Sequence, residues 1–249
     1  MTAATSVFIL IVAFLTAVLT GVFGLAGGLV LMGALALVLP VSAAFVTHGV
    51  MQIVANGSRA ILHRKHLNWR IIGLYAVGAL VAGIIVTLVS YSPSKPLLFL
   101  MLGLCPVLVW LPRGWLSLDA ARPPQALACG LLVTGLNLLA GVAGPLLDIF
   151  FVRTEMTRHQ IVATKAGTQV FSHLAKVVVF GAPLIKLGGA GVPPWWVFAL
   201  AAPLSILGTM VGGRILDRLT DVSFLKWTRW IVTGVGAVYL FQAWRLFQA

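Results

Sequence analysis

Apolar residues along this chain come in long blocks of near bilayer-spanning length, separated by brief polar or glycine-bearing stretches. Hydropathy and punctuation predict ten apolar segments, at about 6–23, 28–40, 42–62, 70–90, 96–112, 124–141, 144–153, 158–181, 195–212 and 228–247. At about 1.5 Å of rise per residue, 28–40 and 144–153 are too short to cross roughly 30 Å of hydrocarbon. Each follows a glycine-bearing break, "GLAGG" or "GVAGP", and is expected to be a half-helix or re-entrant piece.

A mean hydropathy of +1.06, with 60% hydrophobic and 9% charged residues, makes this an all-α polytopic membrane protein and leaves no room for a separate soluble domain in 249 residues. Residues 7–23 are expected to be a mature span and not a signal peptide, because "MTAATS" before them carries no Lys or Arg. The net charge of +12 reads as topology, not as nucleic-acid binding. "HRKHLNWR" (63–70), "PRGWLSLDAARPP" (112–124), "RTEMTRH" (153–159) and "RILDRLTDVSFLKWTR" (214–229) hold most of the Lys and Arg and are assigned to the cytoplasm. The loops near 40, 91–96 and 182–194 then fall outside, as do both termini.

That alternation suits an inverted repeat, and the chain aligns with itself at an offset of 117, giving a first repeat over 1–115 and a second over 116–249. Gly24 aligns with Gly141, Gly27 with Gly144 and Thr47 with Thr164; among polar positions His48 aligns with Lys165, Gln52 with Gln169, Asn56 with His173 and Arg59 with Lys176. The spacings of 4, 4 and 3 put each set on one helical face. Cations at depth in a bilayer cost on the order of 2.5–3.5 kcal/mol even on insertion scales, so both stripes should face a cavity or a partner instead of lipid. Arg59 and Lys176 lie near predicted helix ends, where snorkelling to headgroups is the competing reading. Gly24, Gly27, Gly28, Gly141 and Gly144 would let half-helix N-termini, with unpaired N–H groups and a positive dipole end, approach an anion. The competing reading is small-residue helix packing.

Asp148 is the acid deep in an apolar segment, and Lys165 on the following helix is its expected partner. "HRKH" at 63–66 is read as a topogenic basic loop. Cys105 and Cys129 lie in apolar spans without metal-ligand spacing, and the sequence calls for neither metal nor cofactor. No HExxH or GxS motif is present, so an intramembrane enzyme is disfavoured. A passive anion channel is harder to separate from a transporter, since both can share a cationic pathway.

The paired breaks in "GLAGGLVLM" and "GVAGPLLDI", each followed by a short helix and then by a helix entered through "FVTHG" or "VATKAG", resemble the duplicated motif of the TauE/SafE-type exporters, within the toluene sulfonate uptake permease superfamily. The resemblance covers nearly the whole chain. Ala26 and Ala143 stand where that pattern commonly has glycine, and Asp148 departs from it. It implies export of sulfite or an organosulfonate across the bacterial inner membrane. The expected binders are Lys165, Gln169, His173, His48, Gln52, Asn56 and the break glycines, with Arg59, Lys176 and Asp148 along the pathway. The expected partners are the small anion and the lipid bilayer, and a homodimer is left open.

Overall fold

The computed structural model describes residues 1–249 except 24, 112–117, 152, 187, 217, 219, 220 and 249, and also omits the side chains of 25, 158, 216 and 221–225. The described residues form α1 (Ala3–Phe23), α2 (Leu25–Val38), α3 (Val41–Leu62), α4 (Trp69–Leu88), α5 (Lys95–Leu104), α6 (Val107–Trp110), α7 (Pro123–Ala140), α8 (Gly144–Phe151), α9 (Arg158–Lys186), α10 (Trp195–Leu216) and α11 (Asp221–Gln248). The chain is an all-helical polytopic membrane protein.

Four predicted boundaries are corrected. The α2 helix begins at Leu25 and not at 28, so Gly27 and Gly28 sit in its first turn instead of in a break before it. The segment at 96–112 is two pieces, because the chain turns at Cys105 and Pro106 between α5 and α6. The α9 helix passes through Pro183 to Lys186. Finally, α11 starts at Asp221, inside the stretch "RILDRLTDVSFLKWTR" assigned to a loop, since helix geometry continues past the point where hydropathy falls. Both short helices remain short: fourteen residues in α2 and eight in α8 rise about 21 and 12 Å, well under a bilayer core.

Glycines set the helix contacts. On α10, a Cβ at Gly208 would meet Phe14 O at 2.6 Å, Ala17 Cβ at 2.8 Å and Val18 N at 3.1 Å on α1. On α4, a Cβ at Gly78 would meet Leu127 O at 2.2 Å, Leu131 N at 2.7 Å and the Gly130 carbonyl carbon at 3.1 Å on α7. Both crossings bring a glycine onto the residues i, i+3 and i+4 of its partner, which is how backbones approach when lipid supplies no hydrophobic drive between helices. The α3 helix lies antiparallel along α9: the Phe45 ring is 4.3 Å from Phe180 and the His48 ring 5.4 Å from His173. In the same way α5 packs on α11, α4 also touches α9, and α3 also touches α10.

Buried polar contacts lock these pairs. Tyr75 Oη is 2.6 Å and Thr134 Oγ1 2.7 Å from Ser172 Oγ, tying α4, α7 and α9 together. Tyr239 Oη on α11 donates to Leu29 O and Val30 O on α2 at 3.2 and 3.3 Å. Interhelical bonds of this kind contribute roughly 0.6–2 kcal/mol each. Trp69, Trp195 and Trp227 are exposed near helix ends, as interfacial anchors are; Trp115 lies outside the described residues.

Candidate functional site

The middle of α3 and α9, together with the starts of α2 and α8, encloses a cavity of about 750 Å³. His48, Gln52, Asn56 and Arg59 reach it from α3, and Lys165, Gln169 and His173 from α9. The periodicity of 3.6 residues explains the grouping: steps of three or four keep these side chains on one stripe of each helix, and the antiparallel pairing turns the two stripes to a common space. Gly28, Gly144 and Asp148 also line it.

Three predicted residues lie elsewhere. Gly27 faces α1, where a Cβ would stand 1.9 Å from Thr20 Oγ1 and 2.1 Å from Thr16 O, so its hydrogen is what lets α2 dock. Gly141 ends α7 with φ of 81°, a left-handed conformation that favours glycine, and its N–H donates to Asn137 O at 3.1 Å. Lys176 does not snorkel. It sits mid-helix because α9 extends ten residues beyond it, and it is fully buried. Gly24 lies outside the described residues.

Lys176 joins the two glycine regions. Its Nζ donates to Gly141 O at 2.5 Å, lies 3.2 Å from His48 Nδ1, and stands 5.2 Å from the centre of the Phe45 ring. With Nζ as donor, Nδ1 accepts and the ring proton belongs on Nε2, which then donates to Gly28 O at 3.1 Å. One chain of hydrogen bonds thus runs from α2 through His48 and Lys176 to the turn before α8.

Residues of the cavity wall carry polar atoms without protein partners. Among the described residues, Gln169 Nε2, His173 Nδ1 and both amide atoms of Asn137 are buried without a hydrogen bond. Leaving such a group unpaired costs roughly 1–3 kcal/mol; Asn137, Gln169 and His173 belong to the cavity lining, whereas Thr47, whose Oγ1 is also unpaired, does not. Asn56 donates to Gln52 Oε1 at 3.2 Å; Gln52 Nε2 lies 3.4 Å from where a Cβ on Gly28 would stand. Lys165 is ion-paired with Asp148, the partner expected for that acid.

Several lining residues escaped the sequence reading, among them Asn137, Thr20 and Arg229. Asn137 stands four residues before Gly141 as Thr20, which also lines the cavity, stands four before Gly24; carrying the offset of 117 upstream of the breaks finds both. Arg229, read at the junction of a basic stretch and the last apolar segment, is on α11, with its guanidinium 5.4 Å from the Trp110 ring, and only the tertiary packing shows that it lines the cavity. By contrast, "HRKH" stays away from the cavity: the His66 ring stacks on His159 at 5.4 Å.

The charged residues among the described lining are Arg59, Lys165 and Arg229 with one acid, Asp148, so the wall is cationic on balance and can hold an anion through neutral amide and imidazole donors as well as charge. No curated protein and no solved structure matches the chain. The family model described as Sulfite exporter TauE/SafE, however, matches residues 9–240, nearly the full length, and the chain belongs to that family of membrane exporters.

Proposed function

We propose that this protein is a secondary exporter of a small anion, sulfite or an organosulfonate, bound near the bilayer midplane and moved by alternating access of two inverted repeats, 1–115 and 116–249, in the bacterial plasma membrane. The observation that carries the reading is the convergence of unpartnered Asn137, Gln169 and His173 with Lys165 in one cavity. A trigonal or tetrahedral oxyanion presents several acceptor oxygens, and these side chains offer that number of donors from separate directions. Amide donors suit a substrate that must leave again, because they bind without the full desolvation cost of a dedicated ion pair.

The helix pairing supports the repeats. Exchanging α1 with α7, α3 with α9, α4 with α10 and α5 with α11 turns the contact of α1 on α10 into that of α4 on α7, and the contact of α4 on α9 into that of α3 on α10. The close glycine approaches at Gly208 and Gly78 fall on the helix pairs so exchanged, α1 with α10 and α4 with α7. Inside-negative potential favours anion exit by about 2.3 kcal/mol per charge per 100 mV, so export needs no coupled ion.

The test is sulfite counterflow in proteoliposomes. The wild type should exchange labelled sulfite, and Gln169→Ala should reduce exchange by about tenfold, the effect of losing ~1.4 kcal/mol of binding. Normal exchange by that variant would remove the site; conductance without counterflow would replace the exporter with a channel.

A further inference from the structure

Asp148 is an unusual occupant for an anion cavity, since a carboxylate repels the ligand. It is the fifth residue of α8, and its carboxylate is ion-paired with the Lys165 ammonium on α9. Neither group is sealed. The side chains of Lys165 and Asp148 are 27% and 33% exposed, and both line the cavity.

We propose that Asp148 is a resident counter-ion which the transported anion displaces from Lys165, so that filling the cavity releases α8 from α9. The inference rests on the anion-transport reading. Lys165, Gln169 and His173 follow one another at intervals of four on one face of α9, so an anion held by Gln169 and His173 lies within a turn or two of the ammonium. The lysine stem is long enough to turn from one acceptor to the other. In the empty cavity the pair is neutral, which avoids an uncompensated cation inside the membrane. With the anion bound, Lys165 neutralises the ligand while the freed carboxylate faces it, which lowers affinity and hastens departure.

The same exchange has a mechanical effect. Among the described residues, the Lys165–Asp148 pair is the hydrogen bond joining α8 to α9, while α8 otherwise packs against α7, α2 and α6. Occupancy is therefore linked to the attachment of the short helix beside the cavity, and a ligand able to bind without engaging Lys165 would leave that attachment in place.

Binding of labelled sulfite to the purified full-length protein, with counterflow measured in parallel, tests this. Asp148→Asn should bind sulfite about tenfold more tightly, a gain of ~1.4 kcal/mol, while maximal exchange falls. KM and kcat therefore drop together, which loss of a merely structural ion pair would not produce. Asp148→Ser should behave alike. In the wild type, adding sulfite should shift an aspartate carboxylate stretching band in infrared difference spectra, a measurement independent of how the variants fold. Unchanged or weaker sulfite binding in a folded Asp148 variant overturns the inference, as does an unmoved carboxylate band. If the wild type neither binds nor exchanges sulfite, the transport reading fails as well; if it does both and Asp148→Asn binds no tighter, only the counter-ion role is lost.

Discussion

Asn137 and Lys176 are both buried and both polar, yet the interior treats them differently. Lys176 spends its donors on Gly141 O and His48, so it serves the architecture of the two glycine regions. Asn137 has neither amide atom paired among the described residues, and it faces the cavity. A buried unpaired amide costs roughly 1–3 kcal/mol, whereas an apolar side chain of similar shape carries no such penalty. Asn137→Leu should therefore raise the thermal unfolding midpoint in detergent while abolishing sulfite counterflow. A lower midpoint with intact exchange would assign Asn137 to the scaffold. Its place four residues before Gly141 was legible once the repeat offset was carried upstream; its lack of a partner was not, because periodicity states which face a residue occupies and not what meets it.

The short helix α2 shows the same limit. That it is short followed from hydropathy, but its glycines 27 and 28 lie inside its first turn and not before it, and they were read as one feature although they do separate jobs. Gly28 presents its carbonyl to His48 beside the cavity, while Gly27 lets the helix rest on α1 with no room for a Cβ. Gly57 on α3 has nothing within 4 Å of a Cβ position. Gly27→Val should accordingly lose folded protein in a detergent size-exclusion assay. Gly57→Ala should fold normally and gain roughly 0.5–1 kcal/mol from reduced backbone entropy of the unfolded chain. Equal yields from the two would mean that α2 is not held by this contact.

Charge asymmetry between loops predicts a topology for the whole protein, with both termini outside the cytoplasm. Single cysteines introduced as Lys65→Cys and Glu155→Cys should react with an impermeant thiol reagent only in inside-out vesicles, and Ser92→Cys and Ala190→Cys only in right-side-out ones. The four positions are exposed, whereas native Cys105 and Cys129 are buried and stay silent. Labelling of Lys65→Cys and Glu155→Cys from opposite sides would break the proposed relation between the halves.

Hydropathy and charge were enough for the class of protein, the two short helices and the polar stripes of α3 and α9, because a bilayer imposes strong one-dimensional rules on a chain that crosses it; they did not give the number of long spans, since 96–112 is broken at Cys105 and Pro106. The pairing of Asp148 with Lys165 was also legible, since a lone acid at that depth needs a cation and one stood on the next helix. Other features depended on how the helices meet. Lys176 is enclosed because His48, Gly141 and Phe45 close around it, Arg229 reaches the cavity because α11 packs beside it, and Gly27 is needed because α1 leaves no room for a Cβ there. Those contacts join residues far apart in the chain, and local hydropathy carries no record of which distant surface will be the neighbour.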